Sequence, residues 1–106
     1  MTKYLFESNY VGDGITGLMR EGGTSRRDAV VEALKSVGGT LESFYFAFGE
    51  TDCVGIIDIP EQANAAALSL LINSTGTVKV HLKPLMTPED LDAAAKVTPS
   101  YRAPGR

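Results

Sequence analysis

The 106-residue chain holds one histidine and one cysteine, so the chemistry open to it runs through few side chains. His81 is the only side chain whose ordinary pKa lies near neutrality, which makes it the candidate for proton transfer at physiological pH. It alternates with Lys79 and Lys83 against Val78, Val80 and Leu82, a position that is either a solvated edge or the polar lining of a cavity. With no second histidine or partner cysteine it offers no transition-metal site, and no cofactor is expected. Asp52, at the mouth of a turn, is expected to cap that turn by accepting backbone N–H bonds. Facing a pocket beside Glu50, it would instead be a general base. Tyr4, Tyr10 and Tyr45 carry hydroxyls that would line a ligand pocket wherever they are not core or interface aromatics. Cys53, in an apolar run, reads as a small core hydrophobe, and Asp58 as a strand-end charge reaching water.

Gly12-Asp13-Gly14-Ile15-Thr16-Gly17 satisfies G-x-G-x-x-G, the pattern of a dinucleotide-binding turn. The context fails, because Gly22-Gly23 interrupts the helix that should follow and the next two strands read as an antiparallel hairpin. These glycines are expected to serve the entry to a short helical turn and nothing more.

The elements that would position these residues are legible from periodicity. Residues 2–10 are aromatic-rich and read as a strand, and Ile15–Arg20 as a short helical turn. Ser25 and Asp28 resemble a capping box at the head of a helix whose apolar face is Ala29, Val30, Ala33, Leu34 and Val37. Gly38-Gly39 ends it. Two β-rich runs, 41–48 and 53–59, flank Gly49-Glu50-Thr51-Asp52 and predict a hairpin. Alanines and leucines at helical spacing predict a helix over 62–73, and residues 77–85 alternate as a half-buried strand. Thr87 as N-cap and Pro88 at the first helical position open a last helix. The order β-α-β-β-α-β plus a terminal helix predicts an α+β, ferredoxin-like domain over residues 1–97, with 98–106 as a flexible tail.

In such a domain two helices cover one face of the sheet, and the other face should alternate toward water. The hairpin does not alternate. Phe44, Phe46 and Phe48 are expected on one face, Leu41, Tyr45 and Ala47 on the other; in the partner strand Val54 and Ile56 oppose Cys53, Ile57 and Ile59. Exposing several such side chains would forgo roughly 1.5–3 kcal/mol each, so a second copy packed sheet to sheet is expected, as a two-fold homodimer or a higher homo-oligomer. The competing arrangement folds the last helix back over the open face.

Charge and composition exclude several classes. The net charge is −3, and the middle of the chain sets Glu42, Glu50, Asp52, Asp58 and Glu61 against Lys79 and Lys83. Phe44-Tyr45-Phe46 has the look of an aromatic RNA platform, but its neighbours are acidic, so no nucleic-acid partner is expected. The longest uncharged stretch, 62–78, holds too many Asn, Ser and Thr residues for a membrane span. A single cysteine and a polar start point to a cytoplasmic protein.

The hairpin stretch Gly38-Gly39-Thr40-Leu41-Glu42-Ser43-Phe44-Tyr45, followed by Gly49-Glu50-Thr51-Asp52, Val54, Ile56 and Pro60, resembles the GYD-domain family of small bacterial proteins, relatives of the dimeric α+β barrels. Asn9-Tyr10, Gly14 and Thr87-Pro88-Glu89 are similar too. The family's Gly-x-Tyr-Asp reads Gly-x-Thr-Asp here, with Thr51 in place of the tyrosine. The resemblance implies the dimeric barrel and brings no established activity. The function expected is a binding or structural module without catalysis, its ligand a small, partly apolar molecule between sheet and helices, touched by Tyr4, Tyr10, Tyr45 or His81. The alternative, by analogy with related barrels, is a cofactor-independent oxygenase or isomerase for a small aromatic or enolisable substrate. There His81 would be the acid/base and Tyr45 or Asp52 would orient the substrate.

Overall fold

Burial alternates residue by residue along the first strand. Tyr4, Phe6 and Ser8 are buried while Leu5 and Glu7 between them are only half covered, the period-two signature of a sheet with one packed face. In the computed structural model, which describes residues 2–106, four strands and four helices follow one another. They are β1 (Thr2–Tyr10), α1 (Asp13–Glu21), α2 (Gly23–Lys35), β2 (Thr40–Phe46), β3 (Cys53–Ile59), α3 (Gln62–Ser74), β4 (Val78–Pro84) and α4 (Pro88–Ala95). The sheet order is β2-β3-β1-β4 with every neighbouring pair antiparallel, as the ferredoxin-like plan requires.

The packed face carries Tyr4 and Phe6 of β1, Cys53, Ile57 and Ile59 of β3, and Val80 of β4, under Leu34 of α2 and Ala65 and Leu68 of α3. Phe6 meets Phe44 with ring centroids 5.7 Å apart, and Phe44 meets Phe46 edge-on at 5.1 Å. Gly55 lies opposite both Phe6 and Phe44 in register. A Cβ there would collide with the Phe6 ring and the Ser43 carbonyl, so the aromatic pair closes over β3 only because position 55 has no side chain. Gly14 is constrained in the same way. A Cβ on it would strike the Thr77 carbonyl, so this glycine lets α1 approach the start of β4.

Several local expectations are corrected. The turn expected at Ile15–Arg20 is a full helix of 9 residues. The capping box at Ser25 does not form: α2 begins three residues earlier than a Ser25 cap would place it, with Gly22 at its N-cap, and the Ser25 hydroxyl donates to Glu21 at 3.1 Å. β2 ends at Phe46 because the chain turns there, Ala47 N–H donating to the Asp52 carbonyl at 2.8 Å. Phe48 therefore lies in the turn, fully exposed, instead of sharing a face with Phe44. A bulge between Leu41 and Ser43 shifts the register, so that Leu41 pairs with Ile57 and Phe44 with Gly55. Leu41 thus joins the helix-covered face, opposite to the placement its spacing from Tyr45 implied.

Among the described residues no helix covers the other sheet face. Thr87 caps α4 as expected, accepting from Asp90 N–H at 3.0 Å while the Asp90 carboxylate accepts from Thr87 N–H at 3.0 Å. No residue of α4 is buried. The radius of gyration, 16.8 Å, exceeds the value of about 13 Å for a compact chain of this length. Among the described residues no helix is long and apolar enough to cross a membrane.

Candidate functional site

α2 packs over β2 and α3 over β4, which leaves the strip above β1 and β3 between the two helices. Four of the residues lining that strip are small: Ala29 and Ala33 from α2, Ser69 from α3 and Ser8 from β1. Too little volume is supplied to fill it, and a cavity of about 100 Å³ remains, walled by Phe6, Phe44, Val30, Leu68, Ile72 and Val80. Ser8 is the buried polar residue of the sheet.

The polar end of this cavity is set by Arg26, Tyr10 and Cys53. Arg26 falls one turn before Val30 and two before Ala33, so the periodicity of α2 carries it onto the apolar stripe. Its Nε is buried with no hydrogen-bond partner among the described residues. Nor does it belong to any of the ion pairs, which join Lys3 to Glu42, Arg27 to Asp28, Lys35 to Glu32 and Lys83 to Glu7. Burial raises the Tyr10 phenol above its ordinary pKa, an effect that the adjacent Arg26 guanidinium opposes. Burial likewise pushes the Cys53 thiol up to about 11, against the pull of Arg26. Both groups are therefore neutral at physiological pH, and Arg26 is the one formally charged residue in the lining.

Asp52 holds the mouth of the hairpin to β1. Its carboxylate accepts from Tyr10 N–H at 2.9 Å, and its own N–H donates to the Ser8 carbonyl at 3.0 Å. The carboxylate does cap a backbone N–H, on the neighbouring strand and not within the turn. By fixing the end of β1 it positions Tyr10.

The residues singled out from sequence do not converge. Tyr45, Val54, Glu7 and His81 form one row across the uncovered face by strand register, with Tyr45 and His81 at opposite edges, three strand spacings or about 14 Å apart. Tyr4 is buried in the core at 5% exposure. It and His81 border an open groove between β4 and α3, with Gln62, Asn73 and Lys79, away from Tyr45 and Asp52. Of the candidate catalytic and ligand-binding residues only Tyr10 reaches the cavity, where it meets Cys53, expected as a core hydrophobe, and Arg26, which is not among the candidates. Its signal was present: of the adjacent Arg26 and Arg27, one stands at helical spacing from Val30, Ala33 and Val37. No group of three or more His, Cys, Asp or Glu side chains among the described residues is placed to hold a metal ion.

A four-stranded antiparallel sheet roofed on one face by two helices, with a cavity between the layers, defines a small ferredoxin-like α+β domain. Within that class the chain belongs to the GYD domain family, whose model matches residues 4–95. No curated protein matches the chain, and no solved structure does.

Proposed function

We propose that the protein is a binding module that holds a small, partly apolar molecule in the cavity between the sheet and α2/α3, without catalysis of its own. The observation that carries this reading is the cavity itself, largely apolar with a few polar groups in its lining, the usual form of a small-molecule site. Its titratable groups support binding over proton transfer, since Tyr10 and Cys53 hold their protons well above neutrality. Titration of 15N-labelled protein with isobutyrate and with isobutyramide should shift the amides of Ser8, Ala33, Cys53 and Ser69. Ala33→Leu, which fills the space, should abolish the shifts. Wild-type protein unperturbed by either probe would rule the reading out.

We also infer a cytoplasmic homodimer, paired through the uncovered sheet face. Leu5, Val54 and Ile56 form an apolar centre there, rimmed by the Lys3–Glu42 and Lys83–Glu7 ion pairs, an interface anatomy of dry core and polar edge. The buried free thiol of Cys53 suits a reducing compartment.

A further inference from the structure

We infer that the cavity is built for a small organic anion, a short-chain or branched monocarboxylate whose carboxylate meets Arg26 while its hydrocarbon body enters between α2 and α3. The inference rests on the binding reading above and narrows it to a charge and a size.

The charge follows from Arg26. A guanidinium offers five donors in a rigid fork and stays ionised at any physiological pH. Taking it partly out of water is costly unless a carboxylate or hydrogen-bond acceptors replace the lost hydration. Here the neighbouring arginine, Arg27, has Asp28 at 3.3 Å, whereas Arg26, the more buried of the two, has no ion-pair partner and an unsatisfied Nε. Glu21 and Asp13 share with Arg26 a second hollow of about 200 Å³, where Glu21 accepts from the Ser25 hydroxyl. Arg26 also lines the cavity between the sheet and the two helices, and no acid among the described residues does so. An anion arriving there would find the guanidinium, the protonated Tyr10 hydroxyl beside it, and the Ser8 hydroxyl further in. Such charge-assisted bonds are about twice as strong as neutral ones.

The size follows from the volume. A dry cavity of about 150 Å³ takes up benzene, so one of about 100 Å³ admits a body of roughly four or five non-hydrogen atoms. Apart from Arg26, Tyr10, Cys53 and the hydroxyls of Ser8 and Ser69 the wall is aliphatic and aromatic, which fits an acid with a propyl or isopropyl body. A dicarboxylate would bury its second charge against Leu68 and Val80 and is excluded.

Isobutyrate and isobutyramide are near-isosteres that differ in charge, so comparing them separates this inference from the one beneath it. At pH 7 isobutyrate should bind the wild-type protein more tightly than isobutyramide by a factor on the order of ten. Arg26→Met keeps most of the side chain's bulk and removes its charge. It should bring the two affinities together by weakening isobutyrate while leaving isobutyramide unchanged. Arg26→Lys should retain part of the preference. Equal affinities in the wild type, or a preference that survives Arg26→Met, would overturn the anion assignment and leave the cavity's role as a binding site standing. Binding of neither probe would remove both.

Discussion

Cys53 shows what a single residue's surroundings settle. It is 1% exposed in the floor of the sheet, and its thiol is held protonated up to about pH 11, so it is inert as a nucleophile although it borders a cavity. An aromatic disulfide reagent at pH 8 should leave it untouched in the native protein and react at once in guanidinium. Native labelling on the same timescale would show that the sheet opens. The linkage has a definite sign. The folded-state pKa is raised, so the thiol's contribution to stability is fully present below about pH 9. It is lost as pH rises from there through about 11, where the unfolded thiol ionises and the folded one resists. Denaturant midpoints should therefore fall across that window, and by less in Cys53→Ala. The core character of Cys53 was readable from its apolar neighbours. That Tyr45 and His81 share a row across the sheet was not, because the row depends on how β1, β3 and β4 pair, and a period-two pattern within one strand carries no information about its neighbours' register. Arg26 was missed for a different reason. An arginine at the head of a helix ordinarily lies in water, and only the small residues around it turned its place on the stripe into a cavity wall.

Among the elements, β3 depends most on one position. Gly55 faces Phe44 on one side and Phe6 on the other, and a methyl group would push into the Ser43 carbonyl as well as the Phe6 ring. Backbone and a packed ring both resist moving, so Gly55→Ala should destabilise the domain by about 1–3 kcal/mol in chemical denaturation. Gly17→Ala, where a Cβ meets nothing within 4 Å, should be close to neutral or slightly stabilising, since the change favours helix. A Gly55→Ala variant as stable as the wild type would mean that Phe6 and Phe44 are not locked together over β3. The number and order of strands and long helices were legible because each carries its own periodicity. The errors fell where one residue breaks the count. The bulge at Glu42 consumes a position and turns Leu41 to the other face. Ser25 had the sequence of a cap, but the chain entered α2 at Gly23 and left that hydroxyl to Glu21.

At the scale of the whole molecule the unresolved quantity is apolar surface. The ferredoxin-like order hides one sheet face under α2 and α3, and the competing expectation, that the last helix folds back over the other, is not met: no α4 residue is buried. Leu91, Val97 and Tyr101 are all more than half exposed, as are Met86 and Tyr45. A lone 11.3 kDa chain would thus present to water the apolar centre of one sheet face together with Leu91, Val97 and Tyr101, the kind of surface that marks an interaction site. Pairing the two sheet faces about a two-fold axis would bury Leu5, Val54 and Ile56 of both copies in one step, and would place each arm within reach of the other copy's flank. Ile56 lies at the middle of that patch, between Ser43 and Leu5 in register. A charge there opposes its symmetry mate's neighbourhood in the dimer and costs little in a monomer. Sedimentation equilibrium at low micromolar concentration should give a dimer for the wild type and a monomer for Ile56→Asp. A wild type that sediments as a clean monomer would refute the pairing. The cavity does not open onto this face. Isobutyramide should therefore bind Ile56→Asp about as well as the wild type, because the residues lining the cavity all come from one copy and Ile56 is not among them.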